Sequence, residues 1–101
     1  MRRLWSALLL LALPFAAAAQ DWPARPLKII VPFSPGGAVD GPTRAIAAEL
    51  AKRLKQQVII ENRPGAGATL GSEALARSAP DGYTLLLASQ TNAISASLYT
   101  K

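Results

Sequence analysis

The sequence predicts an α/β fold: a parallel sheet covered by helices, with the element order β-α-β-α-β. Three short apolar runs, at residues 27–31, 58–61 and 83–88, have the near-continuous hydrophobicity of strands that are buried on both faces. Between them lie two segments whose apolar residues recur at helical spacing. Such alternation indicates a parallel sheet, because each helix carries the chain back to start the next strand at the same edge.

Three loops follow the three strands, and we call them the first loop (residues 33–39), the second loop (residues 62–68) and the third loop (residues 89–92). The carboxyl ends of parallel strands meet at one edge of a sheet, where such sheets bind ligands. The first two loops are rich in Gly and Pro, and each leads into a helix N-terminus, which suits an anion. The sequence therefore predicts a binding rim formed by all three loops.

The first nineteen residues predict a secretory signal peptide rather than a part of the fold. Arg2 and Arg3 form a basic region, residues 4–13 form an apolar one, and three alanines at 17–19 form a small-residue cleavage site. The apolar tract is short for a membrane span, so an uncleaved, membrane-attached fragment is the weaker alternative. The arginine pair leaves twin-arginine export open. We predict a periplasmic chain that starts near Gln20 and has no stable membrane insertion after cleavage.

The composition restricts the chemistry that this chain can perform. It contains no histidine and no cysteine, so the usual general base, the thiol nucleophile and most transition-metal sites are missing. The basic residues after position 19 are spread along the chain, without the stripe of basic and stacking aromatic residues that nucleic acid requires. We predict a protein that is not an enzyme, with no catalytic residue, no metal, no cofactor and no nucleic-acid partner.

The first helix is predicted from about Asp40 to Lys55. Asp40 is expected to cap its N-terminus, a role that we favour over a catalytic one. Ile46, Leu50 and Leu54 recur on one face and are flanked by Ala47 and Ala51, so this apolar face is expected to pack against the sheet. The end of the helix is poorly marked, because no glycine is present to form a left-handed cap.

The second helix is predicted from Thr69, as its cap, to about Ser78, and a third helix is predicted from Ala93 to Tyr99. Arg63 in the second loop has two open interpretations. Its guanidinium can hold a carboxylate at the rim, or it can be an ordinary solvated loop residue. Trp22 and Tyr83 are interpreted as packing residues rather than as ligand contacts.

The glycines of the second loop resemble a dinucleotide-binding fingerprint, but the match is incomplete. Gly65, Gly67 and Gly71 have one residue too many between the last two, and Ser89 follows the next strand where an acid is expected. We therefore interpret them as residues of a tight turn and of close helix packing. A small secreted nucleotide-binding enzyme that uses this loop is the alternative function.

Three sequence blocks together resemble a known family. They are VPFSPGGAVD at residues 31–40, ENRPGAG at 61–67 and APDGYTLLL at 79–87, followed by SLY at 97–99. Their order and spacing are similar to the N-terminal part of tripartite tricarboxylate transporter substrate-binding proteins, the Bug family. The resemblance implies the βαβαβ parallel-sheet portion of the first lobe of a type II periplasmic binding protein fold. Such proteins deliver a small organic carboxylate or related anion to membrane transporter subunits.

The resemblance also implies which residues contact the ligand. By position these are Ser34, Gly36, Gly37 and Asp40 from the first loop and its helix, Ala66 and Gly67 from the second loop, and Ser89 and Asn92 from the third. Lys55 departs from the family, which usually has glycine there. Family members also continue beyond the position of Lys101 through a second lobe. We therefore expect residues 20–101 to be a partial lobe that binds no carboxylate tightly by itself.

Overall fold

The computed structural model describes residues 21–98, so the predicted signal peptide and Tyr99 lie outside the described residues. The elements are β1 (Leu27–Val31), α1 (Asp40–Leu54), β2 (Val58–Asn62), a 3-10 turn (Ala66–Ala68), α2 (Thr69–Ala76), β3 (Thr84–Leu86) and α3 (Gln90–Leu98). Over the described range, no helix has both the length and the apolar character needed to cross a membrane.

The three strands form one parallel sheet in the order β2-β1-β3, which confirms the predicted βαβαβ arrangement. The first crossover leads from β1 to one side, and the second leads back past β1 to the other side. Because both crossovers are expected to be right-handed, they put α1 and α2 on opposite faces of the sheet. The connections that follow β1 and β2 thus run on opposite faces of the sheet. The crevice at the carboxyl ends of β1 and β3 is therefore a topological switch point.

The central strand β1 provides most of the core. Leu27, Ile29, Ile30 and Val31 are buried, whereas Lys28 is exposed. On one face of the sheet, Ile29 and Val31 pack together with Ala47 of α1. The nearly continuous apolar run at 27–31 was therefore a correct sign of a strand covered on both sides.

The face of α1 that packs on the sheet includes the predicted Ala47, Leu50, Ala51 and Leu54, but not Ile46. Thr43 and Ala47 are the buried residues near the sheet, Leu50 and Leu54 are half-buried, and Ile46 is 60% exposed. The prediction for Ile46 was wrong because small side chains at 43 and 47 let the helix approach the sheet closely. Ile46 then lies about 100° around the helix, toward solvent.

The ends of the helices also differ from the predictions. Val39, not Asp40, occupies the cap position of α1, and Ala68, not Thr69, occupies that of α2; neither cap makes a side-chain hydrogen bond. At the other end of α1, Lys55 adopts a left-handed conformation (φ 54°, ψ 36°), and its N–H donates to the carbonyl of Ala51. The helix thus ends in a left-handed cap without glycine, a conformation that costs other residues about 1–2 kcal/mol.

The third strand and third helix begin and end differently from the prediction. β3 is only three residues long, and α3 begins at Gln90 rather than at Ala93. Asn92 explains the earlier start, because its side-chain oxygen accepts the N–H of Ser89 at 2.9 Å while its own N–H donates to the carbonyl of Ser89. The bond from the Ser89 N–H to the Asn92 side chain is one half of a capping box, and the Ser-x-x-Asn spacing was its sequence signal.

An aromatic cluster closes the opposite end of the sheet, near the start of β3. The rings of Trp22 and Tyr83 are 6.1 Å apart, and the guanidinium of Arg25 lies 4.1 Å from the centre of the Tyr83 ring. Arg25 also pairs with Asp81. Trp22 and Tyr83 contact each other away from the three loops, as the packing interpretation predicted, although Trp22 is 52% exposed.

Candidate functional site

The three loops lie at the carboxyl edge of the sheet, as predicted. Residues 34–38 of the first loop are exposed, and so are Ala66 and Gly67 of the second loop. The first and second loops are joined where the Asn62 side chain donates to the carbonyl of Phe33 at 3.0 Å. The second loop meets α3 where the Ser95 hydroxyl donates to the carbonyl of Gly67 at 2.9 Å. The edge therefore presents a surface of small residues at the switch point.

Asp40 is 3% exposed, and its carboxylate is fully engaged inside the protein. One oxygen accepts the N–H of Gly36 at 3.0 Å and the Nε–H of Arg44 at 2.8 Å, and the other accepts the side-chain amide of Asn62 at 2.9 Å. The bonds from Arg44, then Asn62 and Gly36, lower the pKa of Asp40 from 3.8 to about 2. Asp40 therefore binds the first loop instead of capping α1, which is why the cap prediction was wrong.

Asn62 is a residue of this site that the sequence analysis did not single out. It is the last residue of β2 and lies opposite Val31 in the register of the sheet. Its amide nitrogen donates to both Phe33 and Asp40, and its oxygen accepts a hydrogen bond from Arg44 at 3.3 Å. A polar residue at the carboxyl end of a parallel strand was the available signal.

The second loop has an unusual backbone conformation. Four consecutive residues have positive φ: Gly65 (123°), Ala66 (48°), Gly67 (62°) and Ala68 (71°). Two of them are alanines, and left-handed backbone is unfavourable for alanine. Such strain persists only where the surrounding structure enforces it, which is common at functional sites.

Gly71 is required by packing, whereas Gly65 is required by its backbone conformation, which has a φ of 123°. A Cβ at Gly71 would lie 2.7 Å from the Cβ of Pro32, and a Cβ at Gly65 would lie 2.9 Å from the Leu70 side chain. Gly71 thus lets α2 approach the end of β1. The interpretation of these glycines as turn and packing residues is confirmed, and no dinucleotide is needed to explain them.

The third loop is linked to the second by a row of hydrogen bonds. The Ser89 hydroxyl donates to the side-chain oxygen of Asn92 at 3.3 Å, and the Asn92 amide donates to the Ser72 hydroxyl at 2.8 Å. Ser72 in turn donates to the carbonyl of Ala68 at 3.0 Å. Ser72 was also missed by the sequence analysis, because its partners come from separate elements.

Arg63 is 53% exposed along its side chain and is ion-paired with Glu61, which also pairs with Lys28 at 2.9 Å. The hydrogen bonds from Lys28, first, and from Arg63 lower the pKa of Glu61. Arg63 lines a groove of about 750 Å³ between the end of β2 and α2, together with Leu70 and Arg77. Arg63 is thus both solvated and paired.

The exposed backbone of the first and second loops makes this edge accessible to a ligand. Asp40 is held ionised by three donors, so it cannot supply a proton near neutral pH. Between residues 21 and 98, no group of three potential metal-ligating side chains comes together. What the edge offers to a ligand is exposed backbone beside small residues, with the hydroxyl of Ser34.

Comparisons with known proteins agree with the resemblance in the sequence. The sequence model of the tripartite tricarboxylate transporter family receptors matches residues 43–101. BugT of Bordetella pertussis is 50% identical over 74 residues, which cover 73% of this chain and 23% of BugT. The chain spans between 20% and 28% of the length of the curated relatives that it matches.

Solved structures agree with the fold. The periplasmic binding protein BugD is 42% identical with a TM-score of 0.62, over 64% of this chain and 22% of BugD. MatC from Rhodopseudomonas palustris, solved with bound malate, is 48% identical with a TM-score of 0.61, over 64% of this chain and 22% of MatC. The predicted fold class, part of a lobe of a periplasmic binding protein, is therefore confirmed.

Proposed function

Since this chain belongs to the tripartite tricarboxylate transporter receptor family, we propose that it serves in substrate binding and that its carboxyl edge contacts a small organic carboxylate. The observation that carries this proposal is the exposed, small-residue surface of the first and second loops at the switch point. MatC, which is similar over the same part of the fold, was solved with malate. The chain acts here as a receptor and not as an enzyme.

The eight predicted site residues divide into two groups. Ser34, Gly36 and Gly37 in the first loop and Ala66 and Gly67 in the second loop are exposed, so we assign them the direct contacts. The N–H groups of Gly36 and Gly37 already donate to Asp40 and to the carbonyl of Ser34, so we assign these glycines the task of letting the ligand come close. The donors for charge-assisted hydrogen bonds to the carboxylate are then the hydroxyl of Ser34 and the peptide N–H groups of the second loop.

The other three residues, Asp40, Ser89 and Asn92, are buried or half-buried and bonded to neighbouring groups. We assign them the task of holding the loops. Asp40 is an anion beside the site for an anion, and this is tolerable because Arg44 and Asn62 spread and offset its charge. A free carboxylate at this position would repel the ligand.

The direct test is a titration of the isotope-labelled chain with malate, followed by amide chemical shifts. We expect the largest shifts at Gly36, Gly37, Ala66 and Gly67 at millimolar malate, since affinity weaker than micromolar is expected of these contacts alone. The uncharged diamide of the same acid is the ligand control and should leave these amides unchanged. Shifts spread evenly over the chain would refute the assignment, and saturable micromolar binding by calorimetry would refute the expected weakness.

Glycine variants provide a matched pair for the same titration. Gly36 has a φ of 77°, so Gly36→Val is expected to distort the first loop and abolish the malate shifts there. Gly41 lies a few residues away in α1, and a Cβ added there would meet nothing within 4 Å, so Gly41→Ala should bind malate like the wild type. If Gly36→Val and Gly41→Ala bind malate equally well, the first loop does not contact the ligand.

We further propose that residues 1–19 export the chain to the periplasm and that it delivers its ligand to membrane transporter subunits there. The basic and apolar regions of this segment and the periplasmic origin of the relative BugD support this proposal. Expression in a Gram-negative host should give a periplasmic product whose first residue lies near Gln20. An uncleaved chain in the inner membrane would contradict it.

A further inference from the structure

We propose that Asn62 is a positioning residue that holds the first loop in the conformation that binds the carboxylate. This inference rests on the proposed function, since it concerns the same site. Asn62 itself is half-buried, and both atoms of its amide are used by neighbouring groups, so it acts through the loop rather than on the ligand.

The backbone of Asn62 is fixed by the sheet. It pairs with Val31 in the parallel register, and the N–H of the next residue, Arg63, donates to the carbonyl of Val31 at 2.8 Å. A side chain on this backbone therefore has a defined position at the edge of the sheet. The first loop leaves β1 directly beside it, because Val31 is the last residue of that strand.

The two hydrogens of the Asn62 amide fasten the two ends of the first loop. One donates to the carbonyl of Phe33, where the loop begins, and the other donates to Asp40, where α1 begins. Asp40 then accepts the N–H of Gly36 in the middle of the loop. A single side chain from β2 thus reaches both ends directly and the centre through one intermediate group.

The chemistry of these contacts is specific for an amide. Phe33 and Asp40 both present acceptors, so the residue needs two donors, while Arg44 needs an acceptor from the same side chain. An aspartate here would repel the carboxylate of Asp40 and offer the Phe33 carbonyl no donor, and an apolar residue would offer no donor to either group. Asparagine alone among side chains of this length satisfies all three partners.

The first measurement concerns the loop without any ligand. In Asn62→Ala we expect the sheet amides to keep their dispersion while Gly36 and Gly37 lose protection from hydrogen exchange. Gln57→Ala is the matched control, since Gln57 is an exposed amide just before the start of the same strand. Protection of Gly36 at the wild-type level in Asn62→Ala would overturn the inference.

The wild-type chain gives a second readout that does not depend on how the variant folds. The two side-chain amide protons of Asn62 should be resolved and protected from exchange, because each is bonded within the protein. The amide protons of Gln57 serve as the exposed reference. Asn62 protons that exchange as fast as those of Gln57 would overturn the inference.

The malate titration then separates the inference from the proposed function. If the loop in Asn62→Ala is competent for about a tenth of the time, malate affinity falls about tenfold, and shifts at Gly67 in the second loop persist. Equal affinity in the variant and the wild type overturns the inference and leaves the proposed function standing. No shifts in the wild type at all refute the proposed function, while the exchange data still decide whether Asn62 orders the loop.

Discussion

The first and second loops meet at the same edge of the sheet, but different forces hold them in shape. The first loop is fixed by charged and polar side chains, chiefly Asp40 and Asn62, which bond to its backbone from α1 and β2. The second loop is fixed by small residues, left-handed backbone and the close packing of Gly71 on Pro32. The first loop should therefore respond to changes in charge, and the second to changes in side-chain size.

The largest expected effect is at Gly71 and concerns size. Gly71→Ala places a methyl group 2.7 Å from the Pro32 side chain and 3.1 Å from its Cα, so part of the structure must move. Overpacking of this kind lowers the free energy of unfolding by about 1–3 kcal/mol. Urea denaturation measures it.

Gly41→Ala is the control for that experiment. Gly41 also lies in a helix, but a side chain there meets nothing within 4 Å. Because alanine is the better helix former, we expect a gain of up to about 1 kcal/mol. If Gly71→Ala and Gly41→Ala lower the free energy of unfolding equally, close packing at Gly71 is not what holds the second loop in shape.

The next effect concerns charge and pH. The pKa of Asp40 lies below its ordinary value of 3.8, at about 2, so its bonds stabilise the fold fully above that ordinary value. This stabilisation is lost as the pH falls through about 2. The pKa of Glu61 is also lowered, by hydrogen bonds from Lys28 and Arg63, and the pKa of Asp81 is lowered, first by the N–H of Tyr83. The contributions of these two carboxylates to the stability of the fold are therefore also lost as the pH falls.

Asp40→Asn tests the share of Asp40 in that pH dependence. We expect the variant to be less stable than the wild type at pH 7, with the difference shrinking as both are acidified from pH 5 toward pH 2. Melting temperature against pH measures it. Glu49→Gln removes an exposed acid from the same helix, paired with Arg53 at the same spacing of four residues, and should follow the wild type. A constant gap between Asp40→Asn and the wild type would contradict the assigned role.

The smallest effect concerns backbone strain. Ala66 has a φ of 48°, and Ala66→Gly relieves a left-handed conformation while adding flexibility to the unfolded chain. We expect a net gain of about 0.5 kcal/mol. Ala38→Gly in the first loop, where the residue is exposed and has no positive φ, should instead lose a similar amount. If both variants shift the denaturation midpoint in the same direction, the two loops do not differ in backbone strain.

Sequence patterns predicted the fold better than they predicted the contacts at the site. The strand at 27–31 and the start of the helix at Asp40 were identified correctly, since a buried strand and an amphipathic helix are both written in local spacing. The capping roles of Asp40 and Thr69 were wrong, because a side chain that can cap a helix can also bond elsewhere. Here the carboxylate of Asp40 accepts hydrogen bonds from the side chains of Arg44 and Asn62 instead of from the first turn of α1.

The sequence by itself determined the order of strands and helices, their parallel arrangement and the small residues of the loops, because these follow from hydrophobic periodicity and from backbone preferences. Only the tertiary structure decided the strand order β2-β1-β3, which brings Asn62 beside the first loop although 29 residues separate it from Phe33. It also decided that Gly71 meets Pro32 and that Ser72 links Asn92 to Ala68. Such contacts depend on which elements become neighbours in space, and no local spacing encodes that choice.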